Sequence, residues 1–191
     1  MAKCFDVVDY IEPCNTVRQK YTGRALLITG NTDNTPLVFT FSENGLKVSQ
    51  IGGVNNLTEL SSLEKFAVSI NAENPFGVTV QGNTDSGRVS YTKTIPVSIP
   101  ATRDGKAEEF IMGLQKGLYL DAIIVLETFG NLGENDIFGA YSPVRIDPTS
   151  VTRSEYENGG AWTFNLVCEE PVPNVICTML GLQTAIDDLN A

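Results

Sequence analysis

Hydrophobic and polar residues alternate along most of the chain, in short runs separated by turn residues. The segment AWTFNLVCEE (161–170) places Trp162, Phe164, Leu166 and Cys168 on one face. A period of two is the pattern of a β-strand that buries one face. Similar or shorter apolar runs lie at 24–29, 37–41, 45–51, 65–70, 76–81, 88–99, 118–129, 136–141 and 144–156. The pattern predicts about ten strands, connected largely as hairpins.

One segment, RDGKAEEFIMGLQKG (103–117), changes to a helical period. Its apolar residues fall at positions 107, 110, 111, 114 and 118, which is one stripe of an amphipathic helix. Asp104 is placed to cap the start of this helix. The predicted fold class is α+β, mainly β: an antiparallel β-sandwich or barrel built of hairpins, with one flanking amphipathic helix.

The length of 191 residues fits a single domain. We expect a β-rich domain over 1–173, with an N-terminal arm at about 1–20. Residues 174–191 are apolar enough to dock as a helix, or to act as a C-terminal arm on a neighbouring molecule.

The tetrapeptide GNTD occurs twice, at 30–33 and at 82–85, each time between two predicted strands. Glycine and asparagine accept positive φ, and aspartate and threonine bond nearby backbone amides, so the sequence is typical of a turn. One carboxylate per copy is too little for a cation site. We therefore predict two similar β-hairpins.

The net charge is −10, from 23 acidic and 13 basic side chains. Tight binding of nucleic acid needs lysine and arginine to displace phosphate counterions, so this composition argues against it. The acidity either keeps the protein soluble or forms a wall that DNA passes without sticking. No run reaches the roughly 18 apolar residues of a membrane span. Asp6, Asp9 and Glu12 interrupt the N-terminal apolar stretch, which argues against a signal peptide.

Residue types that carry common catalytic chemistry are scarce. The chain has no histidine, which excludes Ser-His-Asp catalysis and imidazole metal sites. Its four cysteines form no C-x-x-C pair, and we expect them to be small apolar core residues. The adjacent carboxylates at 108–109, 169–170 and 187–188 should point in different directions. We expect no catalytic residue, no metal site and no cofactor.

The order of elements in the second half resembles a known family. A strand ending TIPVSIP is followed by the helix DGKAEEFIMGLQKG, the buried strand LYLDAIIVLETFGN and the hairpin DIFGAYSPVRIDP, and then by GAWTFNLVCEEP. Over residues 20–173 this resembles the tail-tube, tail-terminator and neck-ring class of tailed-phage virion proteins, including those of crAss-like phages. These are similar to the tube proteins of contractile injection systems.

The resemblance implies a structural function and no catalytic residue. Subunits would join their sheets into a homo-oligomeric ring, six- or twelve-fold, and contact neighbouring virion proteins. DNA would pass through the lumen without specific binding, and no membrane would be involved. The location would be the virion, assembled in the host cytoplasm. The specific role stays open between tail tube, connector ring and hub.

A segment rich in leucine, 52–66, is the candidate loop that contacts the next ring, and either terminus is the candidate arm. Apolar residues in an irregular segment indicate an interaction surface when they lie outside a core. The predicted interface residues are Leu57, Leu60, Leu63, Val175, Ile176, Met179 and Leu180.

Two alternatives remain from the sequence. The first is a capsid decoration, or a host- or carbohydrate-binding β-sandwich module. The second is an enzyme without histidine, in which two carboxylates distant in sequence share one cleft.

Overall fold

A computed structural model describes residues 21–30, 37–42, 45–60, 63–70, 78–85, 87–100, 105–116, 122–128, 134–154 and 160–190. The strands are β1 (Tyr21–Thr29), β2 (Phe39–Phe41), β3 (Lys47–Ile51), β4 (Glu64–Ile70), β5 (Thr79–Asp85), β6 (Arg88–Pro100), β7 (Ile123–Thr128), β8 (Asn135–Phe138), β9 (Arg145–Ile146), β10 (Thr152–Ser154), β11 (Ala161–Glu170) and β12 (Val175–Cys177). The helices are α1 (Lys106–Gln115) and α2 (Leu182–Asn190), with 3₁₀ turns at Leu57–Glu59 and Pro148–Ser150. The predicted class, α+β and mainly β, is confirmed.

The described strands form one hydrogen-bonded sheet in the order β10-β11-β6-β4-β1-β7-β8-β12-β3-β2. Strand β5 adds to β6, and β9 adds to β11. The order runs from β10 to β2 without returning to its start, so the sheet is not a closed barrel. The pairing of β12 with β3 is parallel, unlike the antiparallel hairpins that the sequence predicted.

The centre of the sheet, β1 and β7, is buried on both faces. In β1, Ala25 and Leu27 contribute to one apolar core, whereas Leu26 and Ile28 contribute to another. Strand β7 divides in the same way. Strands covered on both sides carry continuous apolar runs. This explains the uninterrupted sequences ALLI and AIIVL.

The first core lies between these central strands and the β6–β11 pair, with α1 packed against it. The predicted helix is therefore confirmed, and it buries Ala107, Ile111 and Leu114. Its N-cap is Gly105, with φ of 76°, and no side chain caps it. The predicted cap, Asp104, lies outside the described residues.

The second core lies on the opposite face of β1 and β7. Strands β3, β8 and β12 supply Val48, Ile137 and Val175 to it. Helix α2 also packs there and brings a second flanking helix, where the sequence predicted one. The C-terminal segment thus forms both a strand and a helix of this core. The predicted N-terminal arm lies outside the described residues.

The two GNTD copies are not equivalent. The second copy lies within β5, and the hairpin connection follows it between Asp85 and Arg88, where Gly87 has φ of 80°. The Asn83 side chain donates across the hairpin to Thr92 Oγ1 at 2.6 Å, so this side chain connects β5 to β6.

The first copy does not connect a hairpin. Strand β1, which precedes it, pairs with β4 and β7, whereas β2, which follows it, pairs with β3. Both edges of β1 are occupied because it is the central strand. The prediction of two similar hairpins is therefore wrong for the first copy, whose residues 31–33 lie outside the described part.

Candidate assembly surface

Strand β6 passes from the first core to a region where no described core residue lies against it, and a buried ion pair marks the boundary. Lys93 and Glu170 are both 0% exposed, and the ammonium bonds the carboxylate Oε2. Glu170 Oε1 also accepts from the amides of Gly139 at 3.0 Å and Tyr141 at 3.2 Å. Lys93 Nζ lies 5.1 Å from the Phe138 ring centroid. A buried ion pair is tolerated when its polar atoms are satisfied in this way.

The ion pair fixes the segment 139–141 against β6 and β11. Gly139 is required there: its φ is 96°, and an added Cβ would lie 2.9 Å from the Ala122 carbonyl oxygen. The adjacent carboxylates of β11 point in different directions, as the sequence predicted. Glu169 is exposed and accepts from Ser90 Oγ, whereas Glu170 is enclosed.

The cysteine thiols near this boundary are unreactive by their surroundings. Cys168 lies opposite Lys93 in the β6–β11 pair. Burial, with a further contribution from Glu170, raises the pKa of Cys168 to about 12. Burial raises the pKa of Cys177 to about 11. Because the thiolate is the nucleophile, both side chains act as apolar packing groups, as predicted. Cys4 and Cys14 lie outside the described residues.

Around and beyond Lys93, β5 pairs with the first part of β6, Thr79–Asp85 with Arg88–Thr94, while β11 lies on the other edge of β6 as far as Tyr91. We call these two paired segments the β5–β6 ribbon. Among the described strands, β5 pairs with β6 alone, so its outer edge is unoccupied. Residues directly opposite each other in an antiparallel pair share a face.

The two faces of the ribbon differ in chemistry. One face carries Val80, Thr84, Val89 and Tyr91, from the pairs Val80–Lys93, Gly82–Tyr91 and Thr84–Val89. The other carries mainly amide and hydroxyl side chains. The apolar face continues the core face of β6, but Val80 is 45% exposed and Val89 is 54% exposed. Within the described part of the chain, the core side of the strand therefore extends into solvent without cover.

A second apolar surface lies at the opposite end of the sheet. We call residues 37–41, Leu46 and Tyr141 the aromatic edge. Val38 is 63% exposed, and the rings of Phe41 and Tyr141 stack with centroids 4.8 Å apart. Tyr141 Oη donates to the Gly45 carbonyl oxygen at 2.5 Å, which fixes the ring on the β2–β3 hairpin.

The ribbon and the aromatic edge border the same carboxylate. Tyr91 lies opposite Glu170 in the β6–β11 pair, and the Tyr141 amide donates to Glu170. The ion pair thus holds together two elements that both expose apolar side chains.

The interface residues predicted from the sequence lie elsewhere. The residues buried in the second core are Leu57, Leu60, Val175 and Met179, those half-buried are Leu63 and Ile176, and Leu180 is 61% exposed. The Leu57 amide donates to the Leu180 carbonyl at 2.9 Å, and the Leu180 amide donates to Asn55 at 3.1 Å. The described part of 52–66 therefore folds onto the chain's own C-terminal segment. Leu180 keeps an available side chain, and its role in an interface stays a prediction.

Sequence reasoning predicted this hairpin but not the exposure of its apolar face, because the signal for exposure is weak. Val80, Val89 and Tyr91 alternate with polar residues as in any amphipathic strand. The pattern shows that a face is apolar but not whether another element covers it. The one distinctive signal is Lys93, a charged residue on the apolar face just before Ile95 and Val97.

The described residues show no constellation for metal chemistry. They contain no group of three or more cysteine, aspartate or glutamate side chains placed to hold a metal ion. In the same part of the chain, no helix is long and apolar enough to cross a membrane. Neither protein-family profiles, nor curated proteins, nor solved structures give a significant match to this chain.

Proposed function

We propose that the protein is a structural subunit of a bacteriophage virion that assembles into a ring of the tail or neck, through which DNA passes. The observation that carries the proposal is the β5–β6 ribbon, whose apolar face continues the core face of β6 into solvent. The resemblance of the second half of the sequence to ring-forming tail and neck proteins supplies the phage context.

Assembly of identical copies accounts for two features of the β5–β6 ribbon, the edge of β5 that no described strand occupies and the exposed apolar face. An unoccupied strand edge presents backbone donors and acceptors to another strand, and an exposed apolar face favours burial. In the described sheet, β2 and β10 are the ends of the strand order, and β5 is a further edge. Pairing of such edges between identical subunits is a general route to symmetric oligomers.

The negative net charge favours passage of DNA through a ring over binding of DNA by the ring. With a net charge of −10, the subunit repels phosphate, so a lumen lined by such copies lets DNA slide. We expect no retention of duplex DNA by the purified assembly at low salt, measured by filter binding.

The test is the oligomeric state of the wild type and of a ribbon variant. Val80→Glu with Val89→Glu places charges on the apolar face, so rings seen by negative-stain microscopy should disappear. The matched control is Met112→Glu with Leu189→Glu, which adds the same charge at similarly exposed positions on α1 and α2. The control should keep its rings. A wild type that stays monomeric at high concentration contradicts the proposal.

A second candidate, a carbohydrate-binding module, is favoured by one groove with both polar and apolar lining. Thr92, Ser142, Arg145, Asp147 and Glu169 contribute to the lining of a groove of about 520 Å³ beside β11. Its hydroxyl and charged groups suit a sugar better than an apolar ligand. Saturable binding on a glycan array, lost on Arg145→Ala in a monomeric protein, would support this candidate over the ring subunit.

A further inference from the structure

We propose that two copies of the chain pair edge to edge through β5, as antiparallel strands centred on Gly82. The inference rests on the proposed assembly of identical copies, but not on a phage role. It names the contact: a two-fold junction that makes one four-stranded ribbon, β6–β5–β5–β6, from two molecules. Such a two-fold contact joins copies in pairs, and a second contact between these pairs closes the ring.

The backbone of β5 is arranged for this register. Asp85 pairs with Arg88 and two residues separate them in the sequence, which makes Asp85 and Arg88 the hydrogen-bonded pair that closes the hairpin. Hydrogen-bonding direction alternates along an antiparallel strand. The amide and carbonyl groups of Val80, Gly82 and Thr84 therefore point away from β6. Centred on Gly82, the two copies bring all of these groups opposite one another.

The side chains match in the same register. Val80 of one copy lies opposite Thr84 of the other, which pairs two β-branched residues on the apolar face. On the polar face, Gln81 lies opposite Asn83, so two amides meet. Cross-strand pairs of these kinds stabilise sheets, whereas mismatched pairs do not. Because β5 carries β-branched residues at 80 and 84 and amides at 81 and 83, at equal distances from Gly82, a second copy is a fitting occupant of this edge.

The small number of charged residues in β5 favours a second copy at this edge. The whole chain carries a net charge of −10, which opposes contact between copies. Strand β5 carries one charged residue, Asp85, and the proposed register places it opposite Thr79 rather than opposite its own copy. Arg88 lies opposite Asp85 within each hairpin, so the ribbon tip is balanced. Copies can meet here without opposing like charges.

A cysteine at position 82 tests the register. A Cβ at Gly82 would lie 3.6 Å from the Tyr91 ring, an ordinary contact, so the hairpin should tolerate the change. In the proposed junction the two residues 82 have Cα atoms about 5.5 Å apart, within the range of a disulfide. Two residues 84 would be separated by about 13 Å, which is too far.

The experiment compares Gly82→Cys with the control Thr84→Cys, each in full-length protein carrying Cys4→Ser and Cys14→Ser. Under mild oxidation, Gly82→Cys should convert to a disulfide-linked dimer at least tenfold faster than Thr84→Cys, read on non-reducing gels. The double variant Val80→Cys with Thr84→Cys should also cross-link, because those positions lie opposite each other.

Three outcomes overturn the inference. Equal cross-linking of Gly82→Cys and Thr84→Cys would indicate random collision. Absence of cross-linking in both Gly82→Cys and the double variant, while the wild type still forms rings, would exclude the β5 junction and leave the ring proposal standing. A wild type that never associates would instead remove both.

Discussion

The two halves of strand β6 share one sequence pattern but have different surroundings. Ile95 and Val97 lie in the first core, together with side chains of β1, β7 and α1. Val89 and Tyr91 are on the same face of the same strand, yet Val89 is largely exposed. Lys93, bonded to Glu170, separates the two halves. The difference shows that burial in a strand depends on which elements cover it. An apolar face that no described element covers is available to another molecule.

The largest loss of stability should come from removing one partner of the buried ion pair between Lys93 and Glu170. Glu170→Gln leaves the Lys93 ammonium buried without its counter-charge, which should lower the free energy of unfolding by about 3–5 kcal/mol. Lys93→Met should cost a similar amount. The double variant is neutral, so its loss should be well below the sum. Urea unfolding of all three variants provides the measurement. Additive losses would contradict a coupled ion pair.

The next largest loss of stability should distinguish two valines that lie on the same face of β6. Val97→Ala removes two buried methyl groups and should lower the free energy of unfolding by about 2 kcal/mol. Val89→Ala, at the exposed end, should change it by less than about 0.5 kcal/mol. Denaturant unfolding at a concentration where the protein is monomeric is the appropriate assay. Equal losses would mean that the ribbon has a cover within its own subunit.

A smaller effect should appear at alkaline pH. The pKa of Cys168 is raised from 9.0 to about 12 in the folded state, so the folded protein holds this proton more tightly than the unfolded chain. Its contribution to stability is complete below pH 9 and is lost as the pH rises towards 12. Replacing Cys168 with alanine should flatten the decline of stability between pH 9 and 11. An unchanged slope would argue against this titration.

The smallest effect should come from the ion pair at the surface. Arg24 of β1 bonds Asp187 of α2, and the aspartate side chain is 58% exposed. Water and salt screen such a pair, so Asp187→Asn should change the free energy of unfolding by about 0–0.5 kcal/mol. Comparison with the loss of stability in Glu170→Gln then measures how burial changes the contribution of an ion pair to the free energy of unfolding. A loss above about 1 kcal/mol would show that α2 depends on this bond.

The sequence predicted the type of each element better than it predicted which strands pair with one another in the sheet. The period of α1 and the alternation in β11 are local signals, and both elements occur near the predicted positions. Strand partners depend on contacts distant in sequence. The hairpin expected at 30–33 failed for this reason, since β1 is central and pairs with β4 and β7.

The candidate surface was harder to predict for the same reason. Leu57 and Leu60 looked exposed because their segment has no regular period, but a 3₁₀ turn folds them into the second core. Val80 and Val89 looked like ordinary strand residues, but no described element covers them. Whether an apolar side chain meets its own chain or another molecule is decided by tertiary packing, which no local pattern contains.

Hydrogen exchange in β5 at increasing protein concentration tests the central claim most directly. If copies meet through the ribbon, the amides of Val80, Gly82 and Thr84 gain partners on association. Exchange of a peptide covering 79–85 should then slow as rings form, and it should stay fast in Val80→Glu with Val89→Glu. Exchange that remains fast and independent of concentration in fully assembled rings would contradict the account.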